Sequence, residues 1–231
     1  MRPIALTSLA SLLALAISCS SSGAGQTNRP ATIDAFVKSY VASINSRDVA
    51  ANRSLWQTKS LACVNSDSSQ FYDRAFKVNS RHGIPTDYKF TAKPIGPDEK
   101  LGFEGYAIFP VRPTQEIQID YTQGQENSGT VILWLAQEGK GWAEVFPCAT
   151  AETLQNFKAK LTEINANEEK TKALVDALQD PLRSELIALL RQGKYSTAAT
   201  HFAEATKQDR TTAMFVIDEL EYRLETDQRP K

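Results

Sequence analysis

This 231-residue chain has three cysteines and two histidines, the side chains that can take part in the widest range of reactions. A thiol can act as a nucleophile, accept a lipid or form a disulfide, and an imidazole can move protons or bind a metal. No histidine lies near Cys63 or Cys148 in the sequence, so a Cys–His nucleophile has no local support. So few ligand-type residues leave little material for a metal site, and we expect neither a metal nor another cofactor.

Residues 1–18 have the pattern of an export signal. Arg2 supplies a positive charge, and an uncharged, mostly apolar run follows from Ile4 to Ile17. This run is shorter than the roughly 20 residues of a membrane-spanning helix and matches the apolar core of a secretory signal. We expect a signal peptide over 1–18, followed by a flexible tether of small polar residues over 19–30.

The residues Ala16-Ile17-Ser18-Cys19 resemble the cleavage motif of bacterial lipoproteins. The resemblance implies that Cys19 becomes the first residue of the mature chain and carries the lipid, palmitate included, which anchors the chain to a membrane. Ser20 in the next position implies transfer to the outer membrane, on its periplasmic side. The alternative is an ordinary secretory signal cut near Ala24, with Cys19 discarded.

If Cys19 carries a lipid, two thiols remain, Cys63 and Cys148, which are 85 residues apart. An exported chain meets an oxidising compartment, so an even remainder of cysteines indicates a disulfide. The alternative is a pair of buried free thiols.

The charge composition of the chain indicates which kinds of partner it can bind. The chain has 26 Lys and Arg against 27 Asp and Glu, a formal net charge of −1. A protein that binds nucleic acid needs a basic excess, which is absent here, so we expect no nucleic-acid partner.

Apolar periodicity predicts three helices before residue 85. An amphipathic helix is predicted over 31–45, opened by Thr32 or Pro30, with an apolar face made of Ile33, Phe36, Val37, Tyr40, Val41 and Ile44. A second helix is predicted from Val49 to Gln57. A third is predicted over 68–81, with Phe71, Ala75 and Val78 on its apolar face.

From Tyr88 the apolar period changes to two, which is typical of strands. Strands are predicted over 88–93, 106–111, 117–121, 131–135 and 142–146, the last two joined as a hairpin by a glycine-containing turn. Helices followed by consecutive hairpins indicate an antiparallel α+β domain over 31–150.

The segment from Phe36 to Asp48, a helix with a short polar turn, and the hairpin from Val131 to Phe146 resemble the nuclear transport factor 2-like superfamily. The resemblance covers residues 31–150 and implies helices packed in a curved, cone-shaped sheet with an apolar pocket at its open end. The aromatic candidates for this pocket are Trp56, Tyr88, Tyr106, Tyr121, Trp134 and Trp142. The alternative is that most of them fill the core.

Enzymes of this superfamily place an Asp, a His or a Tyr inside the cone to move protons. In this chain Asp120 and Tyr121 are neighbours on one strand, so only one can point inward, and the alternation places Asp120 toward solvent. His82 lies in a turn without a visible partner, whereas a general base needs burial and a partner. We therefore expect no catalytic activity.

Residues 151–231 are predicted to form an all-α region. A first helix starts with Leu154 and Phe157, and its polar middle, Asn165–Lys172, is either solvated or a break. Further helices are predicted from Asp180-Pro181 to Gly193, over 196–207 and over 211–224.

Two resemblances describe this tail. Gly193, Tyr195, Ala198, Phe202 and Ala205 resemble the second helix of a tetratricopeptide unit. The stretch from Leu189 to Leu220 is also similar to the paired C-terminal helices of the ribosomal stalk protein. Both imply a short helical hairpin, for which we expect a protein partner.

These features favour a lipid-anchored binding protein without catalytic activity, with the cone taking an apolar or peptide ligand. One alternative is an inhibitor or immunity lipoprotein that neutralises a cell-wall-degrading toxin through the loop 123–128. Another is a pocket enzyme of the isomerase or cyclase kind, which requires a closed apolar cavity that holds a carboxylate or a histidine with a partner.

Overall fold

A computed structural model describes residues 29–101, 106–123 and 127–227. The expected signal peptide, Cys19 and nearly all of the tether lie outside the described residues. The elements are α1 (Ile33–Ser46), α2 (Val49–Ser54), α3 (Thr58–Leu61), α4 (Ser69–Asn79), β1 (Lys89–Pro94), β2 (Ala107–Ile108), β3 (Gln115–Gln123), β4 (Asn127–Glu138), β5 (Gly141–Glu144), β6 (Cys148–Ala149), α5 (Ala151–Asp176), α6 (Leu182–Arg191), α7 (Tyr195–Thr206) and α8 (Arg210–Asp227). This order confirms the predicted α+β class with helices at its C-terminal end.

Helix α1 forms where the sequence predicts it. The Thr32 side chain caps it by accepting a hydrogen bond from the Ala35 N–H at 3.1 Å. The helix ends at Arg47, whose left-handed backbone, with φ at 56°, lets its N–H donate to the carbonyl oxygen of Ile44. The predicted apolar face is buried except for Ile33, which is half-buried.

Four strands form an antiparallel sheet in the order β1-β3-β4-β5. In register, Ile117 lies opposite Leu133, and Leu135 lies opposite Glu144. Directly opposed residues share a face of the sheet. That face and α1 enclose a core of fully or nearly fully buried side chains, namely Phe36, Val37, Tyr40, Val41, Ile44, Leu55, Ile84, Ile117, Ile119, Leu133 and Leu135.

Two predictions for this region are wrong in detail. On α4 the predicted inward residue Val78 is 62% exposed, and Tyr72 is buried instead. Tyr72 packs edge-on against Trp56 and Phe146, and its hydroxyl accepts a hydrogen bond from the Ala149 N–H at 2.8 Å. The packing of the Tyr72 ring and the hydrogen bond of its hydroxyl therefore determine which face of α4 points into the core. The strand predicted over 106–111 has only two residues, Ala107 and Ile108, which pair with β6.

The last four helices enclose a second core. Its buried members are Val175, Leu178, Leu186, Leu190, Ala198, Ala199, Phe202, Ala213, Val216, Ile217 and Leu220. Helix α5 continues unbroken through its polar middle, which resolves the alternative of a break. There Arg74, in the middle of α4, donates to Glu168 at 2.6 Å and to Asn165 at 3.2 Å, so the polar segment faces water and α4.

Within the ranges that the structure describes, no helix has the length and apolar character needed to cross a membrane.

Candidate functional site

The six aromatic residues proposed for a pocket do not line one surface. Tyr88, Tyr121 and Trp142 pack against the core on the helix-covered face of the sheet. Trp134 lies on the opposite face, because its neighbour Leu133 points into the core, and its ring meets Phe109 at 5.5 Å. Tyr106 is 74% exposed.

Trp56 belongs to a separate aromatic cluster beside the end of β5. Its ring stacks on Phe146 with centroids 4.3 Å apart and meets Tyr72 edge-on at 5.9 Å. Trp56 is buried in this cluster, which favours the interpretation that this aromatic side chain fills the interior.

The predicted pairing of Cys63 with Cys148 is confirmed. The two residues form a disulfide, with their Cα atoms 5.6 Å apart. The bond ties the segment after α3 to β6, next to the aromatic cluster of Trp56. It closes a long loop, which is the arrangement in which a cross-link restricts the unfolded chain most.

Glu144 is a buried acid that the sequence reasoning missed. It lies on the core face of β5, opposite Leu135, and its Oε2 atom makes no hydrogen bond. Burial raises the pKa of its carboxyl to about 8, although the nearby Trp56 indole acts in the opposite direction. The sequence contains one signal for its burial. Side chains two positions apart on a strand share a face, and Glu144 lies two residues after the inward-facing Trp142.

The backbone of Glu144 is held on both sides. It pairs with β4, its N–H donates to the Leu55 carbonyl at 2.8 Å, and its carbonyl accepts from the Gln57 N–H at 2.8 Å. The side chain therefore has a fixed direction, toward the core beneath α1. Neither of the two cavities described below includes this carboxyl.

Asp120 lies on the sheet face away from the core, as the alternation predicts. Its carboxylate accepts hydrogen bonds from Gln118 at 3.0 Å and from Thr130 at 2.7 Å, and these lower its pKa. A carboxylate held ionised on the outer face is a poor candidate for a proton carrier inside the sheet.

His82 has the partners that the sequence did not show, and they come from α8. Its Nε2 lies 2.7 Å from Oδ1 of Asp218, and its Nδ1 lies 3.4 Å from Oε1 of Glu225. Burial favours the neutral ring, but the hydrogen bonds and charges of both carboxylates outweigh it and raise the pKa of His82 to about 9. His82 is therefore a cation at neutral pH, and it joins the loop before β1 to the helical region.

A groove of about 790 Å³ lies between α6 and α7. Small and hydroxyl-bearing side chains line its floor, with Ala188 and Thr200 among them, and Glu185, His201 and Glu204 border it. Nε2 of His201 lies 2.7 Å from Oε2 of Glu185. A second cavity, of about 300 Å³, lies where α1 and α4 meet α8.

Among the residues with described positions, no group of three or more His, Cys, Asp or Glu side chains is arranged to hold a metal ion. Comparison with known proteins found no protein family, curated protein or solved structure that matches the chain.

Proposed function

We propose that this chain is an exported, lipid-anchored binding protein that recognises a protein partner through the groove between α6 and α7. The groove is the observation that carries the proposal. Its floor of small residues leaves room for another backbone, and its two glutamates favour a segment with a basic residue. The helical hairpin that frames it is the part of the chain for which a protein partner is expected.

The position of Glu144, the buried acid of the α+β region, supports a binding function rather than a catalytic one. The Glu144 carboxyl is packed in the core and lines neither of the two described cavities. We also propose a nuclear transport factor 2-like fold for this region, supported by the helices that precede an antiparallel meander.

A photo-crosslinking experiment tests the groove. A photoreactive amino acid replaces Thr200, which lines the groove, and in a control chain it replaces the exposed Lys160 of α5. We expect one discrete protein adduct in cells from position 200 and none from position 160. Addition of Ala188→Arg, which fills the groove floor and adds a repelling charge, abolishes the adduct. Equal adducts at both positions, or an adduct that survives Ala188→Arg, would contradict the proposal.

Anchoring on the periplasmic side of the outer membrane is the second part of the proposal. The disulfide supports export, because such bonds persist in oxidising compartments. We expect incorporation of labelled palmitate into the wild-type chain and its loss in Cys19→Ser, with the wild-type chain in the outer-membrane fraction. Labelling that persists in Cys19→Ser would refute the anchor, and an inner-membrane location would refute the inference drawn from Ser20.

An inhibitor of a cell-wall-degrading enzyme is the second candidate function. It is favoured by the hairpin of β3 and β4, whose pairing continues to Gln123 opposite Asn127 and brings the loop to the end of the two longest strands. Residues 124–126 of that loop lie outside the described residues. Replacement of Gln125 and Glu126 by serine would then abolish protection against a peptidoglycan hydrolase, whereas Ala188→Arg would leave it unchanged.

A further inference from the structure

The 300 Å³ cavity at the junction of α1, α4 and α8 is lined by three cationic side chains, those of Arg47, Lys77 and Arg81. The rings of Phe76 and Tyr222 supply apolar surface in the same cavity. Cations beside aromatic walls are the surroundings that an organic anion requires, since the charge binds one part of the ligand and the rings bind the other.

The two arginines are held in place before any ligand arrives. Arg47 donates through Nε to the Ser80 carbonyl at 3.3 Å and through a terminal nitrogen to the Arg81 carbonyl at 2.6 Å. The guanidinium carbons of Arg47 and Arg81 lie 4.5 Å and 4.7 Å from the ring centroid of Tyr222. Such fixed donors lose little conformational entropy when a ligand binds.

The acids near the cavity are paired with cations, some of them cations of the cavity itself. Glu225 of α8 lies 4.0 Å from a terminal nitrogen of Arg47. Asp73, which also lines the cavity, accepts a hydrogen bond from Arg53 at 2.8 Å. Asp218 and Glu219 of α8 bind Arg81, at 2.6 Å and 2.5 Å, and so hold that guanidinium against Tyr222.

Lys77 is the most exposed of the three cations. Its ammonium lies 3.9 Å from the nearest oxygen of Glu168, a long ion pair, and its side chain is 62% exposed. A contact of that length at the surface stabilises little, so the ammonium can turn toward an anion in the cavity at small cost.

We infer that this cavity binds a small organic anion, with a carboxylate or phosphate group between Arg47 and Lys77 and a flat apolar body against Phe76 and Tyr222. The volume equals that of roughly ten water molecules, which limits the ligand to about the size of a single substituted ring. The ligand would touch α1, α4 and α8 together, so its binding would strengthen the contact between the α+β region and the helices. This site is separate from the groove between α6 and α7 and does not depend on it.

Calorimetric titration of the full chain, purified in detergent, tests the site with three probes: phenyl phosphate, inorganic phosphate and neutral benzyl alcohol. We expect saturable binding of phenyl phosphate, at least tenfold weaker binding of inorganic phosphate, and none of benzyl alcohol. Lys77→Met removes one charge-assisted contact and weakens phenyl phosphate binding by about tenfold or more. Arg47→Asn, which keeps a residue suited to the left-handed backbone, weakens it similarly.

The matched control is Lys160→Met, which removes the same charge from an exposed position on α5 outside the cavity. Unchanged binding in this variant and weakened binding in Lys77→Met support the site, provided that both variants keep the wild-type unfolding midpoint. Equal weakening in both lysine variants would show a nonspecific charge effect and overturn the proposal. Absence of saturable binding of phenyl phosphate to the wild-type chain would also overturn it.

Discussion

Nε2 of His82 lies 2.7 Å from Oδ1 of Asp218, across a sequence separation of 136 residues. Beside this pair, Arg81 binds Asp218 and Glu219, and Arg47 stacks on Tyr222. The turn before β1 and one face of α8 therefore form a continuous ionic contact. It joins two parts of the chain whose apolar cores are separate.

His82 makes the stability of this contact dependent on pH. Its folded-state pKa of about 9 lies above the ordinary value of 6.5, so its contribution is complete below pH 6.5 and is lost as the pH rises to about 9. We expect His82→Gln to lower the free energy of unfolding by about 2 kcal/mol at pH 6 and by much less at pH 9.5. Urea denaturation at both pH values measures the difference.

The comparison for this prediction is His201→Gln, which removes a more exposed histidine that lies 2.7 Å from the single carboxylate of Glu185. A loss of stability in His82→Gln that is the same at pH 6 and pH 9.5 would show that the ring contributes by packing alone.

Glu144 also makes the stability fall as the pH rises, but here the cause is the burial of a carboxyl rather than the loss of an ionic contact. Because burial raises its pKa to about 8, the folded state binds a proton that the unfolded state releases above about pH 4.5. Stability should therefore fall as the pH rises from about 4.5 to 8. We expect Glu144→Gln, which is close in shape and carries no charge, to stabilise the protein by about 1–3 kcal/mol at pH 8.5 and to have little effect at pH 4.5.

Chemical denaturation of the two chains at pH 4.5 and pH 8.5 measures this effect. Replacement of the surface carboxylate Asp120 by Asn is the control, since that group lies outside the core and its pKa is lowered. If Glu144→Gln destabilised the protein at pH 8.5, the carboxylate would have a compensating partner in the folded state.

The disulfide should contribute strongly to stability. A cross-link between residues 85 positions apart restricts the unfolded chain by about 4 kcal/mol in the chain-entropy account. We expect Cys63→Ala combined with Cys148→Ala to lower the free energy of unfolding by that order. Dithiothreitol should lower the stability of the wild-type chain and leave the double variant unchanged, and equal sensitivity of the two chains would exclude a stabilising disulfide.

The start of the described chain docks on the turn between β4 and β5. The Trp142 N–H donates to the Pro30 carbonyl at 2.8 Å, and a Cβ at Gly141 would lie 2.8 Å from that same oxygen and 2.5 Å from Cβ of Arg29. We expect Gly141→Ala to cost about 1–3 kcal/mol through this overlap. Gly96→Ala is the matched control, because a Cβ there meets nothing within 4 Å. Thermal unfolding of both variants checks the prediction, and equal unfolding midpoints would contradict it.

Local patterns predicted the elements well where a single face is buried. The helix from Ile33, the hairpin around Gly139 and the inward residues of α8, such as Val216 and Ile217, follow directly from apolar spacing. The rotation of α4 did not, because the aromatic residue Tyr72 found its partners Trp56 and Phe146 in other segments. Spacing within one helix carries no information about such partners.

The candidate sites were less predictable than the fold. An inventory of aromatic residues grouped Trp134 with Trp142, although they lie on opposite faces of the sheet. The buried acid Glu144 had only a weak signal in the sequence, its alternation with Trp142, and the register placed it opposite Leu135 on the core face. The groove between α6 and α7 is lined by two consecutive helices. The second cavity is lined by segments that are distant in the chain, from Arg47 to Tyr222, and only packing brings them together.

The sequence by itself predicted the α+β class and the order of the main helices and strands, because periodicity and turn residues are local signals. It predicted the pairing of Cys63 with Cys148 only together with lipidation of Cys19, since the chain has three cysteines. Only the tertiary structure decided that His82 is a paired cation, that Glu144 is a buried acid and that Arg47 and Lys77 share a cavity. The chemistry of an ionisable side chain depends on its burial and on charges a few ångströms away, and here those charges lie on segments distant in the chain.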